Sequence, residues 1–334
     1  MNQNFSIKGS MDKSRCPASS SLLSVVVPVY NNANTLRELA SQLIVQANSL
    51  FGSIEILFVN DGSRDDSGSV IDSLCEENPA IRGIHFTRNF GQHTAMMAGL
   101  QHASGDYILL IDADLEEDPA MLPKFVSALA GDIEIVLGLR STRRTSFFKH
   151  WTAKVYYELN NFLCDYPVQR DATNMRLMTR SYRNYLLSFS ERPFLGGFTT
   201  WVGLPVALVP IPWQDQGRTS EFTFRKLSSH ARLGVIAFSS KLLRISSLFG
   251  LILSVGSSLY GLFLLFRFLT AGTTVPGFYT TAVLGFFSLG MCSIFLGIIG
   301  EYVADIHEAV KKRPTYLIRS VTNLPAVQAS SCAE

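Results

Sequence analysis

Asp112, Asp114 and Glu116 are the residues best placed for chemistry, spaced two apart at the end of the apolar run YILLID. In an extended segment, side chains two apart share a side, so these carboxylates would face one hard cation. Mg2+ takes one or two protein carboxylates and completes its shell with waters and substrate phosphates. A nucleoside diphosphate would supply those phosphates, and the cation would offset charge growing on a departing diphosphate. Asp-x-Asp alone is more often a solvated turn, and its place at a strand end is what distinguishes it. A second cluster, Asn60-Asp61-Gly62-Ser63, closes the run ILFVN. Gly62 allows a tight turn and Asp61 would accept hydrogen bonds from a base or ribose, although both also suit a plain turn. A third cluster, Pro28-Val29-Tyr30-Asn31-Asn32, closes the run VVVPV. Arg140, Arg143 and Arg144 form a basic group; guanidinium groups bind phosphate oxygens bidentately, with a solvated loop as the alternative. Asp171, Asn174 and Arg176 make a fifth group, expected in a loop before a helical stretch. His93 reads as a helix-start residue. No serine–histidine–acid or paired-cysteine arrangement is present.

These clusters need elements to position them. Short β-branched runs at 22–29, 54–60, 82–87, 107–112 and 133–139 alternate with helical segments such as 35–48 and 66–77, preceded by Asn or Asp suited to capping. Near-continuous apolar strands separated by helices predict an α/β fold, a mostly parallel sheet with helices on both faces. Ligands in such sheets bind outside the carboxyl ends of the strands, where the polar clusters fall.

Of 334 residues, 17% are charged, against roughly 25% in soluble domains. The deficit lies after residue 240. Residues 245–266 and 277–300 are each long and apolar enough to span a bilayer. Basic residues lie outside the pair, at Arg225, Lys226, Arg232, Lys241 and Arg244 before and Lys311, Lys312, Arg313 and Arg319 after. The positive-inside rule then places the catalytic domain and the C-terminal tail in the cytoplasm, as parts of an integral membrane protein. Segments 147–162 and 222–243 read as surface-lying amphipathic helices, at the headgroup boundary or on the domain core. Residues 1–21 are polar, without a signal-peptide core, and read as a disordered extension. The expected partition is 1–21, a catalytic domain at 22–221, a juxtamembrane segment at 222–243, a two-helix hairpin at 244–300 and a tail at 301–334. The net charge of +2 argues against a nucleic-acid partner. Five scattered cysteines argue against a disulfide framework or zinc site.

Taken together, VVVPVYNN, ILFVNDGSRDDS, TRNFGQHTAMMAG, SGDYILLIDADLEEDP, RSTRRTSFFK, RDATNMRLMTRSYR and GIIGEYVADIHEAVKKRP resemble the family 2 glycosyltransferases. The narrower resemblance is to polyprenyl-phosphate glycosyltransferases: dolichol-phosphate mannose synthases, bactoprenol glucosyl transferases and undecaprenyl-phosphate formamido-arabinose transferases. GQHTAMMAG and GIIGEY lean toward the last branch. The resemblance implies a GT-A-like Rossmann-type fold and inverting transfer from a nucleoside-diphosphate sugar, a UDP-sugar foremost, to the phosphate of an undecaprenyl- or dolichyl-type lipid. It implies nucleotide contacts by Pro28, Tyr30, Asn32, Asp61 and Asp112. Mg2+ or Mn2+ would sit on Asp112, Asp114 and Glu116, and Arg140 and Arg143 would lie near the acceptor phosphate. Asp171 matches an acidic position of the active-site loop, and a homo-oligomer is compatible with the relatives. The chain departs from the pattern in having Asn32 for Glu, Glu116 for Gln, Asn174 for Asp and Ser220-Glu221-Phe222 for Ser-Lys-Tyr. Transfer to a hydroxyl, in lipopolysaccharide or polysaccharide synthesis, and a catalytically inactive membrane scaffold are the alternatives.

Overall fold

The computed structural model describes residues 20–140, 171–188, 202–212, 277–311 and 314–323, with isolated positions at 169, 199 and between 248 and 270. Eight strands form one sheet: β1 (Leu22–Val29), β2 (Ser53–Asn60), β3 (Ile81–Phe86), β4 (Tyr107–Leu110), β5 (Ile135–Arg140), β6 (Ala172–Thr179), β7 (Val206–Ile211) and β8 (Ile318–Thr322). Their order is β7-β5-β6-β4-β1-β2-β3-β8. The neighbours among β1, β2, β3 and β4 pair in parallel, as do β5 and β7. β6 runs antiparallel to both β4 and β5, and β8 antiparallel to β3. The expected mostly parallel, GT-A-like sheet is therefore present, with two reversed strands.

Alternation along the strands builds two cores, because successive side chains point to opposite faces. On one face Val25 and Val27 of β1 and Ile56 and Phe58 of β2 pack with Leu36, Leu39 and Leu43 of α1 (Leu36–Asn48) and Ile71 of α2 (Ser67–Glu77). Phe125 of α4 (Leu122–Ala128) belongs to the same cluster. On the other face Val26, Leu57 and Val59 meet Ala95, Met96 and Leu100 of α3 (Gln92–His102) and Tyr182 and Leu186 of α5 (Arg180–Leu187). Both faces are covered, which is what near-continuous apolar strands require.

Three findings correct the sequence reading. Asn174 and Arg176 stand in a strand, β6, not in a loop. Local pattern did not show this, because β6 carries Asn and Arg where a buried strand normally has apolar residues. Helices α1 and α2 begin one residue later than expected, after Thr35 and Asp66, which make no side-chain cap hydrogen bond, whereas Asp65, the acidic residue expected to cap α2, accepts from Ser67 N at 3.1 Å. The stretch expected as a tail contributes β8, which pairs with β3 at the margin of the sheet.

A second compact unit contains α6 (Phe278–Val310). Among the described residues this is the one helix long and apolar enough to cross a membrane, through residues 287–304 at a mean hydropathy of 1.6. The expected span 245–266 lies mostly outside the described residues. Segments 147–162 and 222–243, with Arg143, Arg144 and Glu221, lie wholly outside them.

Candidate active site

Register brings the clusters together. Val29 pairs with Asn60, so the turns after β1 and β2 leave the sheet side by side. Ile111 N donates to Val26 O at 3.2 Å, which carries the chain after β4 past the same end of β1. The turns are then tied by side chains. Asn31, left-handed at φ 55°, donates its N–H to Ser63 Oγ (3.1 Å) and accepts from Arg64 N through Oδ1 (2.9 Å). Asn tolerates that backbone region better than most residues. Asn32 N donates to Ser67 Oγ at 3.0 Å. Thr35 Oγ1 reaches Ala113 O at 2.5 Å and so joins the first turn to the acidic one. Tyr30 presents an exposed ring beside these turns, and Pro28 is buried within β1.

Asp61 is only 2% exposed. Its carboxylate accepts from Phe90 N (2.6 Å) and Gly91 N (2.9 Å) in the segment between β3 and α3. Burial pushes its carboxyl above the ordinary value, and the two N–H donors partly oppose that. A contact with base or ribose would use the lone pairs these amides leave free. Gly62, at φ 65°, fits against the same segment. A Cβ there would stand 2.4 Å from the carbonyl carbon of Arg88 and 2.6 Å from Asn89 N.

Asp112 is half-buried and held from two directions. Gln92 Nε2 donates to its Oδ1 at 2.8 Å from the first turn of α3, and Asn174 Nδ2 donates to its Oδ2 at 2.9 Å from β6. Glu117, 2% exposed, accepts from Met175 N at 2.9 Å and lies 3.3 Å from Asp112 N. Burial raises the carboxyl pKa of Asp112 well above the usual range, and the negative charges of Glu117 and Asp114 add to it. Glu117 is raised as well, again chiefly by burial. Arg176, 6% exposed, is the cation facing this pair; burial lowers its pKa while Glu117 and Asp112 hold it up. Carboxylates crowded in this way resist full ionisation by themselves, and a cation beside them would favour their charged form.

The acidic run departs from its expected geometry. Leu115 lies at φ 59° and the run is a turn, so the two-residue alternation of an extended strand does not apply. Asp114 Oδ1 accepts from Glu116 N at 3.1 Å. Among the described residues no group of three His, Cys, Asp or Glu side chains could hold an ion unaided. An all-oxygen pair from Asp112 and Asp114 still fits Mg2+ or Mn2+, which draws its remaining ligands from phosphates and water.

Antiparallel β6 begins where β4 and β5 end, so its first residues lie at the same edge of the sheet. Leu139 pairs with Ala172, and Arg140 N donates to Asp171 O at 2.9 Å. Asp171 takes φ 56° at that junction. Arg140 and Asp171 are therefore neighbours, three residues along β6 from the Asn174 that grips Asp112. The sequence reading did not single out Gln92 or Glu117. Both act through partners distant in sequence, which a local motif does not reveal.

Comparison with known proteins bears on this site. Residues 24–187 match glycosyl transferase family 2. An uncharacterized glycosyltransferase of Synechocystis sp. is 32% identical over 306 residues, covering 90% of this chain and 96% of that protein. The SfII prophage-derived bactoprenol glucosyl transferase of Shigella flexneri is 32% identical over 300 residues, covering 89% of this chain and 97% of its own length. Among solved structures, a Pyrobaculum calidifontis mannosyltransferase in complex with GDP-Man and Mn2+ matches at 18% identity and a TM-score of 0.49, covering 71% of this chain and 68% of that one.

Proposed function

Because this chain belongs to glycosyl transferase family 2, we propose that it transfers a sugar from a nucleoside-diphosphate donor, a UDP-sugar foremost, to the phosphate of a polyprenyl phosphate. It is a glycosyltransferase. The observation that carries the finer reading is the convergence on Asp112, which receives amides from α3 and β6 while the adjoining turns hold Asp61. The acceptor is inferred from the relative named a bactoprenol glucosyl transferase.

In this mechanism a lipid phosphate oxygen attacks the anomeric carbon from the side opposite the diphosphate. A carbon–oxygen bond to the lipid phosphate forms as the bond to the nucleoside diphosphate breaks, and the electron pair leaves with the diphosphate. The configuration inverts. The second pKa of a phosphate monoester lies near 6, so the nucleophile is already ionised at neutral pH. A hydroxyl would need a base to take its proton, whereas a phosphate needs positioning and charge relief. This is why Asn174, which carries no charge, is compatible with turnover. Arg140 and Arg143 would hold the acceptor phosphate, and Pro28, Tyr30, Asn32 and Asp61 the nucleotide. Asp112 and Asp114, with Glu116 beside them, would hold Mg2+ or Mn2+, which when bound offsets charge on the leaving diphosphate.

The test uses membranes carrying the full chain, incubated with polyprenyl phosphate and a panel of labelled nucleotide sugars. Label from one donor should become extractable with the lipid. Asp114→Ala should abolish metal-dependent transfer, and retained activity would refute the metal role. Label appearing in polymer or on a hydroxyl would favour the alternative acceptor; nucleotide binding without any transfer would favour a scaffold.

A further inference from the structure

The segment from Arg88 to Gln92 touches both halves of the site. Its backbone N–H groups at Phe90 and Gly91 are held by Asp61, and its path at Arg88 and Asn89 is pressed against Gly62. Its last residue opens α3 and sends a side-chain amide to Asp112. We propose that Gln92 is a positioning residue: it fixes the Asp112 carboxylate for the divalent cation and couples that orientation to the nucleotide side of the cleft. This rests on the function proposed above and adds a role to it.

Three observations carry the inference. The Gln92 side chain is exposed, so its hydrogen bond is no part of either apolar core. Holding an exposed Gln in one rotamer costs side-chain entropy, and the partner here is a carboxylate, whose hydrogen bonds are the stronger kind. Asn174 donates to the other oxygen, so two donors on opposite sides define the carboxylate plane. An ionised carboxylate offers about four lone-pair sites, and the two amides leave the rest for a cation. Donors that orient ligands in this way commonly contribute about 10- to 100-fold in metal affinity.

The test compares wild type with Gln92→Met, which keeps side-chain length but donates nothing. Mn2+ affinity of the detergent-solubilised full chain is measured by electron paramagnetic resonance, with UDP present. Q92M should bind Mn2+ about tenfold more weakly, with UDP affinity in chelator and the thermal midpoint both unchanged. In transfer assays, excess Mn2+ should restore kcat. Equal Mn2+ affinity in the two proteins overturns the positioning role alone. Parallel losses in UDP affinity and thermal midpoint overturn it in favour of a merely structural one. A wild type that takes up no Mn2+ with UDP overturns the metal reading on which the inference stands.

Discussion

Gly62 shows how much of the site depends on single backbone positions. Its φ of 65° and the 2.4 Å approach to Arg88 leave no place for a methyl group. Gly62→Ala would have to displace backbone, not the tip of a flexible side chain, and would add left-handed strain of about 1–3 kcal/mol. Thermal unfolding of the solubilised chain should shift downward by several degrees, with weaker UDP binding, because the displaced segment carries the amides held by Asp61. An unchanged midpoint would mean that the segment yields freely. Cys75 offers a second check at this scale. It is 2% exposed, and burial, with Asp72 and Glu76 adding negative charge, pushes its thiol up to about 12. Iodoacetamide at pH 8 should therefore leave Cys75 unmodified in the folded chain and label it after denaturation, as read by peptide mass spectrometry. Labelling of the native protein would contradict the packing beneath α2. At this scale Asp61, Gly62 and Asp112 were legible in the sequence because turn chemistry at a strand end is local. Gln92 and Glu117 were not, since each is defined by a partner that only the fold supplies.

Among the elements, the five expected strands followed from short, near-continuous apolar runs rich in β-branched residues, and the structure moves element ends by two residues at most. β6, β7 and β8 were not legible. β6 carries Asn174 and Arg176 into the acidic site, so function has replaced the apolar pattern that identifies a strand. β8 is short and exposed, and its identity comes from what it docks on. Tyr316 stacks on Phe86 with ring centroids 4.9 Å apart and donates to Gln101 Oε1. Asn323 Nδ2 donates to Cys75 O and Ile81 O, and Thr322 Oγ1 to Asp72 Oδ1. Tyr316→Ala should destabilise the catalytic unit by about 3 kcal/mol, the usual loss for a buried aromatic ring. Chemical denaturation of the solubilised protein measures this. A change below about 1 kcal/mol would mean that β8 adds little to the sheet.

For the molecule as a whole, the apolar helix α6 is compatible with membrane association, and the function proposed above expects an integral protein working at the cytoplasmic face. Alkaline carbonate washing should leave the full chain in the membrane pellet, and release into the supernatant would point to peripheral attachment. The architecture also orders events during synthesis. Thr87 N donates to Leu317 O, and β8 closes the outer margin of β3, yet the ribosome makes β8 only after all of α6. Until then the nascent sheet has an unpaired border next to Phe86, open to mispairing with other extended chains. Chains stalled or cut within α6 would keep every acidic residue of the site yet remain prone to aggregate. Completion of the sheet is thus delayed until α6 has been made.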